Sequence, residues 1–219
     1  MKLPLWRLTT ARRKMAESIG IEKWSRPSFR GMHERIVDLF GSTPGYFIEA
    51  GAVDGVFESN TYYLERFCGW SGVLIEPVPQ MFKRLAVNRP NAKAFHCALV
   101  SDDYAEATVG IVPAHAMSKI SASSQAADSD AVQVPARTMT SVLEQAAMPR
   151  VDLLSLDVEG YELDVLRGMD LTRFKPEHLI IECLTDEKRD DTQAFLDQHF
   201  ELVDALSHRD YLYRARAAS

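Results

Sequence analysis

The stretch GYFIEAGAVDGVFESNTYYLERF, Gly45 to Phe67, decides the fold. YFIEA is a short apolar run holding one carboxylate, the length and composition of a buried strand. A loop with glycines at Gly51 and Gly55 follows, and then NTYYLERFCG reads as a helix stopped by Gly69. Strand, glycine loop and helix together open a βαβ unit. The spacing also says what the loop does not bind: the G-x-G-x-x-G pattern that lays bare amides on a pyrophosphate is absent, and Glu49 precedes the turn. A carboxylate repels a pyrophosphate and attracts an ammonium or a sulfonium. The helix start at Ser59, Asn60 and Thr61 offers amides and hydroxyls to an anion. A ligand with a cation and a carboxylate close together is an amino acid, or a nucleoside carrying one.

Outward from this unit, apolar runs keep alternating with helical patterns. SGVLIEP reads as a second strand, PQMFKRLAVN as a helix ending before Pro90, and AKAFHCALV as a third strand. EATVGIV and AVQVPART read as strands flanking a polar segment, Pro113 to Asp130, long enough to be a lid. Thr140 to Met148 is predicted helical, with Ser141 and Glu144 spaced as a capping box. VDLLSLDV is a strand ending in Asp157, YELDVLRGM a short helix, EHLIIECL a central strand and DDTQAFLDQHF a helix. ELVDAL and DYLYRA close the chain as an antiparallel pair. This order predicts an α/β fold: a doubly wound, Rossmann-like, mostly parallel sheet with an antiparallel C-terminal hairpin.

In such a sheet, ligands bind at the carboxyl ends of the strands. Glu76 ends the second strand about 20 residues past the glycine loop, where an acid accepts hydrogen bonds from ribose hydroxyls. Glu49, Gly51, Gly55, Asn60 and Glu76 together fit S-adenosylmethionine better than a dinucleotide. The segments FIEAGAVDGVFESNTYYLE, GVLIEPVPQMFKRLAVNRP and VDLLSLDVEGYELDVLRGMD resemble the FkbM family of S-adenosylmethionine-dependent methyltransferases, over about Gly45 to Tyr213. The resemblance implies the class I methyltransferase fold and methylation of hydroxyl oxygens, often on sugars or polyketide-derived compounds. It implies Glu49, Gly51, Asp54, Gly55, Ser59, Asn60 and Glu76 as cofactor contacts. It covers neither Met1 to about Arg30 nor the variable segment Pro113 to Asp130.

SLDVEGYE, Ser155 to Glu162, carries the candidate catalytic groups, because a buried strand delivers Asp157 and Glu159 to the sheet edge. Burial and like charge raise a carboxylate's pKa, and methyl transfer needs the acceptor hydroxyl relieved of its proton. Two roles stay open to Asp157: binding or deprotonating the acceptor with help from Glu159, or contacting the sulfonium side of the cofactor while Glu159 caps the next helix. Glu182 ends the next strand, and with Asp157 could hold Mg²⁺ as a Lewis acid, although no second adjacent Asp or Asn completes a site. His115 is a second candidate base if its segment closes over substrate. His96 reads as an interior residue, and His208, at a hairpin turn, receives no role. The (N/D)-P-P-(Y/F/W) stretch suited to amide or amine acceptors is absent, which favours oxygen.

Composition bounds the rest. The 219 residues are 46% hydrophobic and fit one domain, residues 31–219, behind an N-terminal appendage of residues 1–30. The net charge is −6, but residues 1–30 hold eight Lys or Arg against Glu17 and Glu22, which leaves −12 for the remainder. That acidic body argues against nucleic acid as a partner. The basic leader, interleaved with Leu3, Leu5, Trp6, Met15, Ile19, Ile21 and Trp24, suits a membrane surface or an acidic partner; docking on its own body or between subunits of an oligomer are the alternatives. No apolar run spans a membrane and no signal peptide is evident, so the expected location is cytoplasmic. Cys68, Cys97 and Cys183 lack disulfide or zinc spacing. Two readings compete with a methyltransferase: a non-catalytic S-adenosylmethionine-binding protein and an NAD-linked oxidoreductase of the same architecture.

Overall fold

The computed structural model describes residues 5–28, 32–112, 119–120, 131–183 and 185–217. The helices are α1 (Leu5–Ser18), α2 (Met32–Phe40), α3 (Tyr62–Phe67), α4 (Pro79–Asn88), α5 (Met139–Ala146), α6 (Glu162–Arg167) and α7 (Asp186–Leu196). The main sheet is built from β1 (Tyr46–Ala50), β2 (Ser71–Ile75), β3 (Lys93–Phe95), β8 (Leu153–Leu156), β9 (His178–Glu182), β10 (Phe200–Ala205) and β11 (Asp210–Ala215). A smaller sheet holds β4 (Ala98–Leu99), β5 (Thr108–Val112), β6 (Lys119–Ile120) and β7 (Val132–Arg137).

Across the main sheet the order is β3-β2-β1-β8-β9-β11-β10. The first five strands run parallel, and β11 runs antiparallel to both β9 and β10. The chain leaves β1 towards one edge and later returns beside it as β8, so β1 and β8 flank the point where strand order reverses. Side chains alternate between faces with period two. Ile48, Val73, Leu154 and Leu179 pack with Met139, Leu143, Val165 and Leu196 of α5 to α7. Phe47, Leu74, Leu153 and Ile180 pack with Ile36, Leu64 and Leu85 of α2 to α4. Both faces are covered, which is why these strands read as unbroken apolar runs.

Three local expectations need correction. AKAFHCALV is not one strand: Lys93–Phe95 pairs with β2, whereas Ala98–Leu99 pairs with β7 in the smaller sheet. His96 lies between them, its Nε2 3.0 Å from the Pro77 carbonyl and its ring stacked on Phe82, so it is an interior residue as expected. The cap of α5 is Thr138, whose hydroxyl accepts from the Ser141 amide, so the helix starts one residue early and Ser141 lies in its first turn. Helix α7 begins at Asp186, four residues before the predicted Asp190. The C-terminal pair is antiparallel as expected, with β11 inserted between β9 and β10. His115, and all of Pro113 to Asp130 except Lys119 and Ile120, lie outside the described residues.

The leader lies on its own chain, against α3 and α4. Thr10 donates to Asn88 (3.0 Å), Arg13 to the Tyr62 hydroxyl (3.1 Å), and Ser25, Tyr62 and Arg66 to the buried Glu17 carboxylate (2.6, 2.6 and 2.9 Å). Among the described residues no helix is long and apolar enough to cross a membrane.

Candidate active site

Pleat alternation puts Glu49 on the same face as Phe47, under α3 and α4, and there the protein itself satisfies it. Its carboxylate accepts from the hydroxyls of Ser59 (2.8 Å) and Thr61 (2.7 Å) and from the Asn60 amide (2.8 Å). Arg89, fully buried, stands 3.7 Å away and also binds Glu65 (2.7 Å), the Gly55 carbonyl (3.0 Å), Ser59 (3.2 Å) and Thr61 (3.1 Å). The sequence pointed to a carboxylate held ready for a ligand's cation. The structure instead neutralises Glu49 with Arg89 and uses it to fix the loop, although Glu49 still borders the cleft. The amides at the start of α3 are likewise engaged: Asn60 donates to Glu49, and Thr61 and Tyr62 to the Ser59 hydroxyl. They are not free for a ligand carboxylate.

Gly51 makes a tight turn at the cleft that has no room for a side chain. Its φ is +82°, and a Cβ there would meet the Asp157 carbonyl oxygen at 1.7 Å. The glycine lets the loops after β1 and β8 touch. Asp54 and Gly55 do not border the cleft. Asp54 accepts from the amides of Val56 (3.0 Å) and Phe57 (2.8 Å), and Gly55 packs on the Arg89 stem. Both shape the loop from behind.

Glu76 is buried at the end of β2 and accepts from the amides of Val53 (2.8 Å) and Val78 (2.7 Å). Burial pushes its pKa up to about 7, against the pull of those two amides. Val53 is β-branched yet has φ +47°, a strained conformation that the Glu76 bond helps to hold.

Between these loops runs a cleft with two lobes that meet at Gly51, Val53, Asp157 and Glu159. One lobe is apolar, lined by Ile75, Val78, Met81, Leu99, Ile111 and Tyr161, with Glu76 at its side. The other is polar and holds Glu49, Ser59, Asn60, Ser155 and Glu182. Asn60 donates through Nδ2 to Ser155 (3.1 Å), while its buried Oδ1 has no partner among the described residues. A buried acceptor of this kind is suited to a donor from water or a ligand. The arrangement fits S-adenosylmethionine: an apolar slot for the adenine, a carboxylate for the ribose hydroxyls, and an acceptor for the ammonium.

Asp157 stands where the lobes join. Its pKa is raised well above the usual carboxylate range, first by the protein packed around it and then by the carboxyl of Glu182. Asp157 is nevertheless exposed to solvent along the cleft, which weakens the part of the shift that comes from burial and leaves the neighbouring carboxyls the firmer cause. Glu159, at φ +56°, is raised by burial and by Glu182 and Glu162. It does not cap α6; the buried Glu162 ties that loop instead, accepting from the amides of Val158 (3.3 Å) and Gly160 (2.9 Å).

Ser155 and one distant turn were given no part in the site by the sequence. Ser155 positions Asn60, and the turn at His208, Arg209 and Asp210 borders the polar lobe, with Arg209 4.0 Å from Glu182. The turn arrives because β11 pairs Asp210 with Glu182, a register no local motif announces. Among the described residues no group of three or more His, Cys, Asp or Glu is arranged to hold a metal ion.

Comparison with known proteins fits this geometry. The Methyltransferase FkbM domain matches residues 49–214. Among solved structures, methyltransferase FkbM from Methylobacillus flagellatus KT superposes with a TM-score of 0.50 at 15% identity, covering 95% of this chain and 60% of that one. The METTL16 MTase domain superposes with a TM-score of 0.51 at 10% identity, covering 83% and 65%. The chain thus spans less than two thirds of either relative, and identities this low bear on fold alone. A comparison with curated proteins finds no match. The family match covers most of the chain and sets aside the nicotinamide reading: the protein belongs to the FkbM family of S-adenosylmethionine-dependent methyltransferases.

Proposed function

We propose that the protein transfers a methyl group from S-adenosylmethionine to a hydroxyl oxygen of a carbohydrate or secondary metabolite, with Asp157 taking the hydroxyl proton. The observation that carries this is the position of Asp157 at the junction of the two lobes, with the Glu182 carboxyl nearby in the polar lobe. The apolar lobe and Glu76 would hold the adenosine, and Asn60 Oδ1 the ammonium. When bound, the cofactor supplies an electrophilic methyl on a sulfonium.

Asp157 and Glu182 can share one proton, which keeps one carboxylate available as a base at neutral pH and gives it more basicity than an ordinary Asp. Glu159 flanks the same junction, and Arg209 offsets part of the negative charge. Three free cysteines suit the reducing cytoplasm, and residues 31–219 would form the methyltransferase domain.

The test is methyl transfer from labelled S-adenosylmethionine to a panel of hydroxylated and aminated acceptors. Asp157→Asn is expected to lower kcat by about 10²- to 10⁴-fold while S-adenosylhomocysteine affinity is unchanged. Full turnover in that variant would leave Asp157 a binding role only, and transfer confined to amines would overturn the hydroxyl assignment.

A further inference from the structure

Helix α1 is built inside out. At about 100° per residue, Thr10, Arg13 and Glu17 share one face, and that face makes the polar network with α3 and α4. Leu8, Arg12, Met15 and Ile19, spaced four, three and four apart, share the opposite face, with Ile19 in the turn just past the helix. A helix on a protein surface ordinarily turns its apolar stripe inward. Here Met15 (71%), Ile19 (68%) and Leu8 (52%) are the three most exposed large apolar side chains among the described residues. Ile21 and Trp24 extend the patch, and the Arg12 guanidinium lies over the Trp24 ring at 4.5 Å.

We propose that this outer face docks on an anionic lipid surface. The ridge is convex, a shape that a bilayer headgroup region accommodates without a matching groove. Its charge is complementary: Arg12 and Lys23 are exposed on the same segment as the apolar side chains, while Arg26 is paired with Glu22 at 3.8 Å. Arginine over tryptophan is also a pairing suited to the interface between headgroup and acyl chain. The acidic remainder of the chain would be repelled by the same surface, so docking fixes which side of the molecule faces the membrane. Neither binding element involves the cleft, so the proposal stands independently of the acceptor chemistry.

The test is co-sedimentation of the full chain with phosphatidylglycerol/phosphatidylcholine vesicles and with pure phosphatidylcholine vesicles. Binding is expected to the anionic vesicles and to weaken as salt rises. Met15→Glu with Ile19→Glu should abolish it, and Arg12→Gln or Lys23→Gln should each weaken it about five-fold. None of these side chains belongs to the inner network, so melting temperatures should be kept. Failure to bind anionic vesicles, or binding indifferent to all these substitutions, would overturn the proposal. So would light scattering that shows a dimer dissolved by the double substitution, since a second copy would then be the occupant of the ridge.

Discussion

Glu49 and Glu76 are both carboxylates at strand ends, and their surroundings give them different work. Glu49 faces the helix layer, where Arg89 compensates it. Glu76 is buried with two amides and no cation among its bonded partners, which leaves burial the larger influence. A raised folded pKa sets the sign of its pH effect. The protonated folded form is favoured, so stability is full below the unfolded value of 4.5 and is lost as pH rises through about 7. A shift of that size corresponds to about 3 kcal/mol. Urea midpoints at pH 5 and pH 8 should therefore differ less in Glu76→Gln than in the wild type; equal differences would contradict this account. Of the residues singled out from sequence, Gly51, Glu49, Ser59, Asn60, Glu76, Asp157 and Glu159 do border the cleft. Their motif spacing was enough to place them. Whether a carboxylate faces ligand or guanidinium depends on Arg89, 40 residues from Glu49, and no spacing rule connects the two.

At the scale of elements, Arg89 at the end of α4 joins that helix to α3 and to the glycine loop. Replacing it with leucine would leave Glu49 and Glu65 without their cation in a dry setting. Loss of about 3 to 5 kcal/mol is expected by urea denaturation, with only partial rescue by lysine, which lacks the planar fork. A change below about 1 kcal/mol, the scale of an exposed pair, would sink this reading. Elements whose own sequence holds their whole signal were legible: β1, β2, β8 and β9 as apolar runs, and α4 from Pro79 at its start to the stop before Pro90. The break between β3 and β4 was not, because AKAFHCALV stays apolar while it passes from one sheet to the other. The cap of α5 was misplaced because Thr138 and Ser141 are both cap-type residues three apart. Thr138 is chosen because β7 ends at Arg137.

Across the whole molecule, one buried acid, Glu17, gathers several of the bonds that hold the leader to the body. Burial alone would raise the pKa of Glu17, yet bonds from Ser25, Tyr62 and Arg66 and the charge of Arg13 bring it below its usual value. Glu17→Ala should therefore release residues 5–28 from the body at a cost of about 2 to 3 kcal/mol. Tryptic cleavage after Lys14 and Lys23 should accelerate while the sheet body stays intact; cleavage at the wild-type rate would show that the leader is anchored elsewhere. Sequence by itself determined the alternation of strands and helices, the mostly parallel sheet, the family and most of the loops that border the cleft. These properties reside in periodicity and in short contiguous motifs. Tertiary structure alone decided that Arg89 neutralises Glu49, that Gly51 yields to the Asp157 carbonyl, that β11 brings Arg209 to Glu182, and that α1 turns its polar face inward. Each of these depends on contacts between residues far apart in the chain, where burial and charge compensation are set by packing rather than by local pattern.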